Sequence, residues 1–370
     1  MPIRLYNNNL PCNAQVRWNG NLMDSARDSV FGDLTVTLTA AETQTLGFGT
    51  LSITTRDEPT VTLASAVVPI YLALDTNDLL FEPTSARLYA TLPSLSGPSG
   101  NSVTRLAPET GARDSSTFVG SEPTSMAASA DGQYIYALLS GSKTVRRFVV
   151  ATEAAELAFP IGATSGTGAV TPLAIAVLPN DAHAIVALRS DASGRSAVVA
   201  DDGVLRASIA SVPAATIAFG ASATVAYAVN DGGSSFYRLP ISAGGIALGD
   251  TTTGLLRTRY PFELRPHGAL FYTFGGQLLD PLGPTVLATL PKTGVVAVDS
   301  VRQRVFVLET TSNEATLFAF STSTFALLGT QAIPGVSGTV TSLLRWGNDG
   351  FAFRTDERQV FLFHSSLAGP

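Results

Sequence analysis

Apolar and polar residues alternate in short runs along most of the chain, and Gly, Asp, Asn and Ser turns separate the runs. This is the period of half-buried strands rather than helices. A longer pattern overlies it. Seven segments each hold an apolar strand, a tight polar turn and a second strand bearing an aromatic or β-branched residue. They begin at Leu79, Met126, Ile175, Ile217, Phe262, Val296 and Leu343, as in LLFEPTSARLYATL and MAASADGQYIYALL. With Tyr89, Tyr136, Val186, Tyr227, Tyr272, Phe306 and Phe353 as equivalent anchors, the unit recurs about every 44 residues, the length of a four-stranded propeller blade. Further alternating strands follow the hairpins at 144–150 and 316–320, and a fourth at 156–161 precedes the next unit.

A single blade has two faces and cannot cover both alone. Blades packed face to face around an axis bury both and leave no long open edge. The pattern therefore predicts an all-β protein with a seven-bladed β-propeller over residues 60–370. Small residues on the first strands (Ala127, Ala128, Ala174, Ala176, Ala218) suit the centre, and the bulky anchors fill the gaps between blades. The seventh unit supplies three strands, near Leu343, Phe351 and 360–364, before the chain ends. Its fourth is expected from before the first unit, with 60–74 closing the last blade and 67–74 (VVPIYLAL) as the strand itself. Residues 1–59 fall outside the repeat. Their strands at 15–18, 34–38 and 49–54 predict a small β-sandwich with Trp18 in its core, and 56–59 form a polar junction.

Composition sharpens this picture. Hydrophobic residues make up 45% of the 370 and charged ones 14%, which excludes a disordered chain. Strands buried on both faces account for the low charge. The net charge is −6, and the basic residues are scattered, Arg146-Arg147 being the densest pair. Nucleic acid is excluded as a partner, because backbone binding needs clustered positive charge. Cys12 stands alone, so no intramolecular disulfide or cysteine zinc site is expected. The start, MPIRLYNNNLP, has no charged and apolar leader pattern. The longest apolar run, 63–74, is too short to span a bilayer.

Two stretches resemble known families. VRWNGN at 16–21, followed by two strands about a Gly-containing turn, resembles the IPT/TIG immunoglobulin-like module. FEPTSARLYATLPS at 81–94, FVGSEPTSMAASADGQYIYALLSGSKTVRRF at 118–148 and GGQLLDP at 275–281 resemble the seven-bladed YVTN-type propellers of bacterial surface and exported proteins. The literal YVTN signature is absent, and YIYALLSGSKTVRRF holds its place. The resemblance implies an Ig-like module before the propeller. It also implies an extracellular, cell-surface or periplasmic location, and binding rather than a defined reaction.

Motifs for chemistry are scarce. His183, His267 and His364 lie in different repeats without metal-ligand spacing. No nucleophile elbow, phosphate-binding glycine loop or calcium-binding EF-hand loop is present. On the innermost strands the charged exceptions are Glu263 and Arg265 in the fifth repeat, Arg345 in the seventh, and Asp78 just before the first. Glu263, Arg265 and Arg345 are the candidate ligand-binding residues, forming a charged channel mouth for an anionic or polar ligand. The competing reading, which the sequence favours, makes them ion pairs lining a wet channel. The expected function is a monomeric, non-enzymatic binding or scaffold protein without catalytic residue, metal or cofactor. It would receive a protein or carbohydrate on loops such as 93–102, 163–171 and 231–235. The alternative is a lactonase- or lyase-like propeller enzyme using polar residues at the channel mouth.

Overall fold

The computed structural model describes residues 2–5, 10–27, 34–43, 49–60, 62, 64–166, 168–257, 263–311 and 314–369. Phe262 at the start of the fifth repeat, Thr167 in the 163–171 loop, and residues 61 and 63 of the 60–74 segment lie outside them.

Among the described residues the regular secondary structure is almost wholly β-strand, arranged as successive up-and-down antiparallel sheets. Their innermost strands, from first sheet to seventh, are Asp78–Glu82, Pro123–Ala128, Thr171–Val177, Ala214–Phe219, Leu264–His267, Val295–Asp299 and Val340–Trp346. Each innermost strand touches the next, and the last touches the first, so the contacts run in a closed circuit. That circuit is the architecture of a β-propeller. Local chemistry starts each sheet. In the second, the Asp131-Gly132 turn joins the two inner strands, and Gly132 sits at φ +72°, where a side chain is strained.

The second strands carry the packing between sheets. Tyr89 packs with Met126 and Ile135 of the second sheet, Tyr136 with Ile185 of the third, and Val186 with Ala226 of the fourth. Tyr227 meets Phe271 of the fifth, Tyr272 meets Val305 of the sixth, and Phe306 meets Phe351 of the seventh. Each of these anchors is the third residue of its strand. Phe353 breaks the series: it is the fourth residue of Gly350–Thr355 and packs back against the sixth sheet beside Phe306. Ala352 is the true equivalent and faces Leu79 and Leu88 of the first sheet. A slip of one residue along a strand moves a side chain to the opposite face.

Two stretches tie the beginning of the chain to the circuit. Ile70–Ala73 pairs with Gln359–His364 as the fourth strand of the seventh sheet, in register Leu72 to Val360. Ala64–Val67 does not join that sheet. It pairs antiparallel with Thr50–Thr55 on one side and parallel with Leu327–Pro334 of the sixth sheet on the other. The sheet made by Asn21–Leu22, Ala14–Trp18 and Thr50–Thr55 is thereby continuous with the sixth. A second sheet of Pro2–Leu5, Leu34–Thr37 and Ser25–Arg27 supplies Leu34 and Val36 to a shared core with Val16, Trp18 and Leu51. Gly49 lies so close to Trp18 that a Cβ there would stand 1.9 Å from the indole.

Candidate functional site

The innermost strands surround the axis, so their charged residues define what the channel can do. At the leading ends, Glu263 immediately precedes Leu264–His267 and accepts from Arg265 Nε through one carboxylate oxygen. Its other oxygen accepts from the Val296 backbone N–H of the sixth sheet at 2.9 Å. Asp78, which opens the first sheet, makes the same kind of link: it accepts from Leu79 N–H at 2.9 Å and from Met126 N–H of the second sheet at 2.7 Å. Burial pushes the Asp78 carboxyl up, outweighing the opposing fields of Arg354 and Arg265 and these two backbone hydrogen bonds. Both acids are sheet-to-sheet latches.

At the trailing ends the pair is Arg345 with Asp299, Nη2 to Oδ2 at 2.9 Å. The same guanidinium donates to the Asn348 carbonyl at 2.7 Å and the Gly350 carbonyl at 3.2 Å. It lies 4.8 Å from the Phe351 ring centroid and 5.6 Å from that of Phe306. Burial opposes ionisation of Asp299, but the Arg302 N–H and the charges of Arg345 and Arg302 prevail and hold its carboxyl below the usual range. Beside this pair lies an open cleft of about 650 Å³, walled by Phe81, Val301, Arg302, Trp346 and Asn348. The Trp346 indole N–H is buried there without a partner among the described residues.

The three residues singled out from sequence are therefore not one mouth. Glu263 and Arg265 meet each other where their strand begins, whereas Arg345 is the second-last residue of its strand and is bound to Asp299. The loops 93–102 and 231–235 join second to third strands, and 163–171 leads into an innermost strand. In an up-and-down sheet all three share the end where the innermost strands begin, the Glu263 end.

The histidines stay apart. His183 Nδ1 lies 2.8 Å from Asp202, beside Arg147, which also pairs with Glu156. His267 contacts Ser300, and His364 contacts Asp349 and Glu109. Among the described residues, no three His, Cys, Asp or Glu side chains are grouped to hold a metal ion. No helix among them is long and apolar enough to cross a membrane.

Sequence reasoning missed Asp299 and Arg354. Asp299 ends a strand and reads as part of a polar turn. Arg354 precedes the polar run Thr355-Asp356-Glu357-Arg358 and reads as its first member. Their signal was positional: both lie on the two inner strands of a sheet, where most neighbours are apolar.

The chain is similar in fold to two solved structures. Kuenenia stuttgartiensis hydrazine synthase matches with a TM-score of 0.58 and 13% identity, over 80% of this chain and 98% of that one. The β-propeller domain of Cps50 (Swd1) from Myceliophteria thermophila matches with a TM-score of 0.57 and 12% identity, over 80% and 99%. No family model and no curated protein matches the chain. At these identities the likeness shows the propeller fold alone.

Proposed function

We propose that this chain is a non-catalytic binding scaffold: a seven-bladed propeller closed by residues 70–73, preceded by an Ig-like module over 1–59. It serves in the exported or cell-surface space of a bacterium, as the YVTN-type and IPT/TIG resemblances imply. Its ligand, a protein or a carbohydrate, is received by the loops 93–102, 163–171 and 231–235 on the face where the innermost strands begin. One observation carries this reading. The acids of the innermost strands are spent on structure: Asp78 holds Met126, Glu263 holds Val296 and Arg265, and Asp299 holds Arg345. A lactonase or lyase needs acids and bases whose lone pairs are free to meet substrate.

Two measurements on the whole chain test the proposal. On an array of neutral and acidic glycans and surface proteins, saturable binding is expected, and it should be lost when 93–102 is shortened. In parallel, a panel of lactones and uronate polysaccharides should show no turnover above the uncatalysed rate. Turnover, lost on replacing a channel acid, would move the assignment to the enzyme reading.

A further inference from the structure

One channel-side cation is not spent on structure. Arg354 is the fifth residue of the second strand of the seventh sheet. The fifth residues of the corresponding strands in the second, third, fourth and sixth sheets are Leu138, Leu188, Val229 and Leu308, each at most 1% exposed. An arginine thus stands in a seam position that these four sheets fill with apolar side chains and the first sheet with the buried Thr91. It is half-buried, its Nε is closed off from solvent, and its side chain forms no hydrogen bond or ion pair among the described residues. Its direct cross-strand partner, Ser342, shares its sheet face, is 6% exposed and has a hydroxyl that likewise lacks a partner.

A guanidinium whose terminal nitrogens are not buried, with an unpartnered hydroxyl buried beside it, offers the donors an oxyanion needs. Buried polar groups ordinarily find partners, so these two are held ready for one that the chain does not supply. The surroundings select its charge. Arg265 is already neutralised by Glu263. Asp78, on the adjoining innermost strand, is close enough to feel the positive field of Arg354 but forms no ion pair with it among the described residues. A dianion would be repelled by the nearby carboxyl of Asp78. A monoanion meets one open guanidinium, and a hydroxyl beside it can donate to the second lone pair of an Asp78 oxygen, which keeps its backbone N–H.

We propose that Arg354 and Ser342 bind the carboxylate of a hydroxycarboxylate group, the chemistry of an acidic sugar, entering along the channel from the end where the innermost strands begin. This rests on the binding reading above and names its ligand class.

Isothermal titration of the whole chain with glucuronate, glucose, acetate and inorganic phosphate tests it. Glucuronate is expected to bind saturably, acetate about tenfold more weakly, and glucose and phosphate not measurably. Arg354→Leu supplies the residue type of those four seams, so it should fold with an equal or higher thermal midpoint and lose glucuronate binding. Ser342→Ala should weaken binding by about threefold to tenfold. Absence of glucuronate binding, equal binding of phosphate, or unchanged affinity in Arg354→Leu would overturn the assignment. So would a marked fall in the thermal midpoint of Arg354→Leu, which would make the arginine structural. Failure here with array binding intact leaves the scaffold reading standing; loss of array binding by the unaltered chain removes the scaffold reading itself.

Discussion

Arg345 and Asp299 face each other at 2.9 Å across the seam between the seventh and sixth sheets, with only 12% and 9% of their side chains exposed. The pair fixes two turns against each other, because Asp299 also accepts from Arg302 N–H and Arg345 donates to the carbonyls of Asn348 and Gly350. Removing the acid alone strands a desolvated guanidinium. Asp299→Asn should therefore cost about 3–5 kcal/mol, read by urea unfolding. Adding Arg345→Met to that variant should recover part of the loss, since it removes the orphaned charge. Equal stability of Asp299→Asn and the parent would place the pair among inconsequential surface contacts.

Asp78 and Asp299 give opposite dependences on pH. Asp299 ionises more readily folded than unfolded, so its contribution is complete above the ordinary carboxylate pKa of about 4 and is lost as pH falls below it. Asp78 is held above its ordinary value by burial. Folding then favours the protonated acid, and its contribution declines as pH rises from about 4 through the raised value. Relative to the parent, Asp78→Asn should thus gain stability as pH rises through that window, while Asp299→Asn should lose it. Denaturation series from pH 3 to pH 8 separate the two signs.

The seventh sheet takes its fourth strand from Ile70–Ala73, beside Gln359–His364. Leu72→Pro removes a backbone donor and bends the strand, at a cost of about 3 kcal/mol or more if the strand is required. Deleting 70–73 should go further and leave a broad, multi-step melt in place of a cooperative one. A calorimetric trace like that of the intact chain would show that the seventh sheet holds without its fourth strand.

Gly49 permits the approach of Trp18. Gly49→Ala should destabilise the amino-terminal sheets by about 1–3 kcal/mol through overpacking. The indole is the reporter: its fluorescence should shift towards that of a solvated ring at lower denaturant than in the parent. An unchanged emission profile would mean that the strand carrying Gly49 yields without cost.

Much of this fold could be read from period and turn chemistry. The anchors from Tyr89 to Phe306 lie where the repeat put them, because a third-position aromatic or valine is what a sheet-to-sheet gap requires. Phe353 misled: in GFAFRT the aromatic residues lie on both sides of the alanine that faces the first sheet, so choosing the larger side chain chose the wrong face. The site was less legible. Glu263 and Arg265 are two residues apart and share a face, so their pairing follows from strand geometry. Asp299 and Arg345 are 46 residues apart, and only the docking of two sheets brings them together. Arg354 stands out only once the seams are superposed.

Ala64–Val67 lies between Thr50–Thr55 and Leu327–Pro334, with backbone hydrogen bonds to both. Tension applied at the amino-terminal module would accordingly pass into the sixth sheet sideways, through peptide groups, before reaching the covalent link that leads to Ile70. The ring and the module share the load as one elastic body.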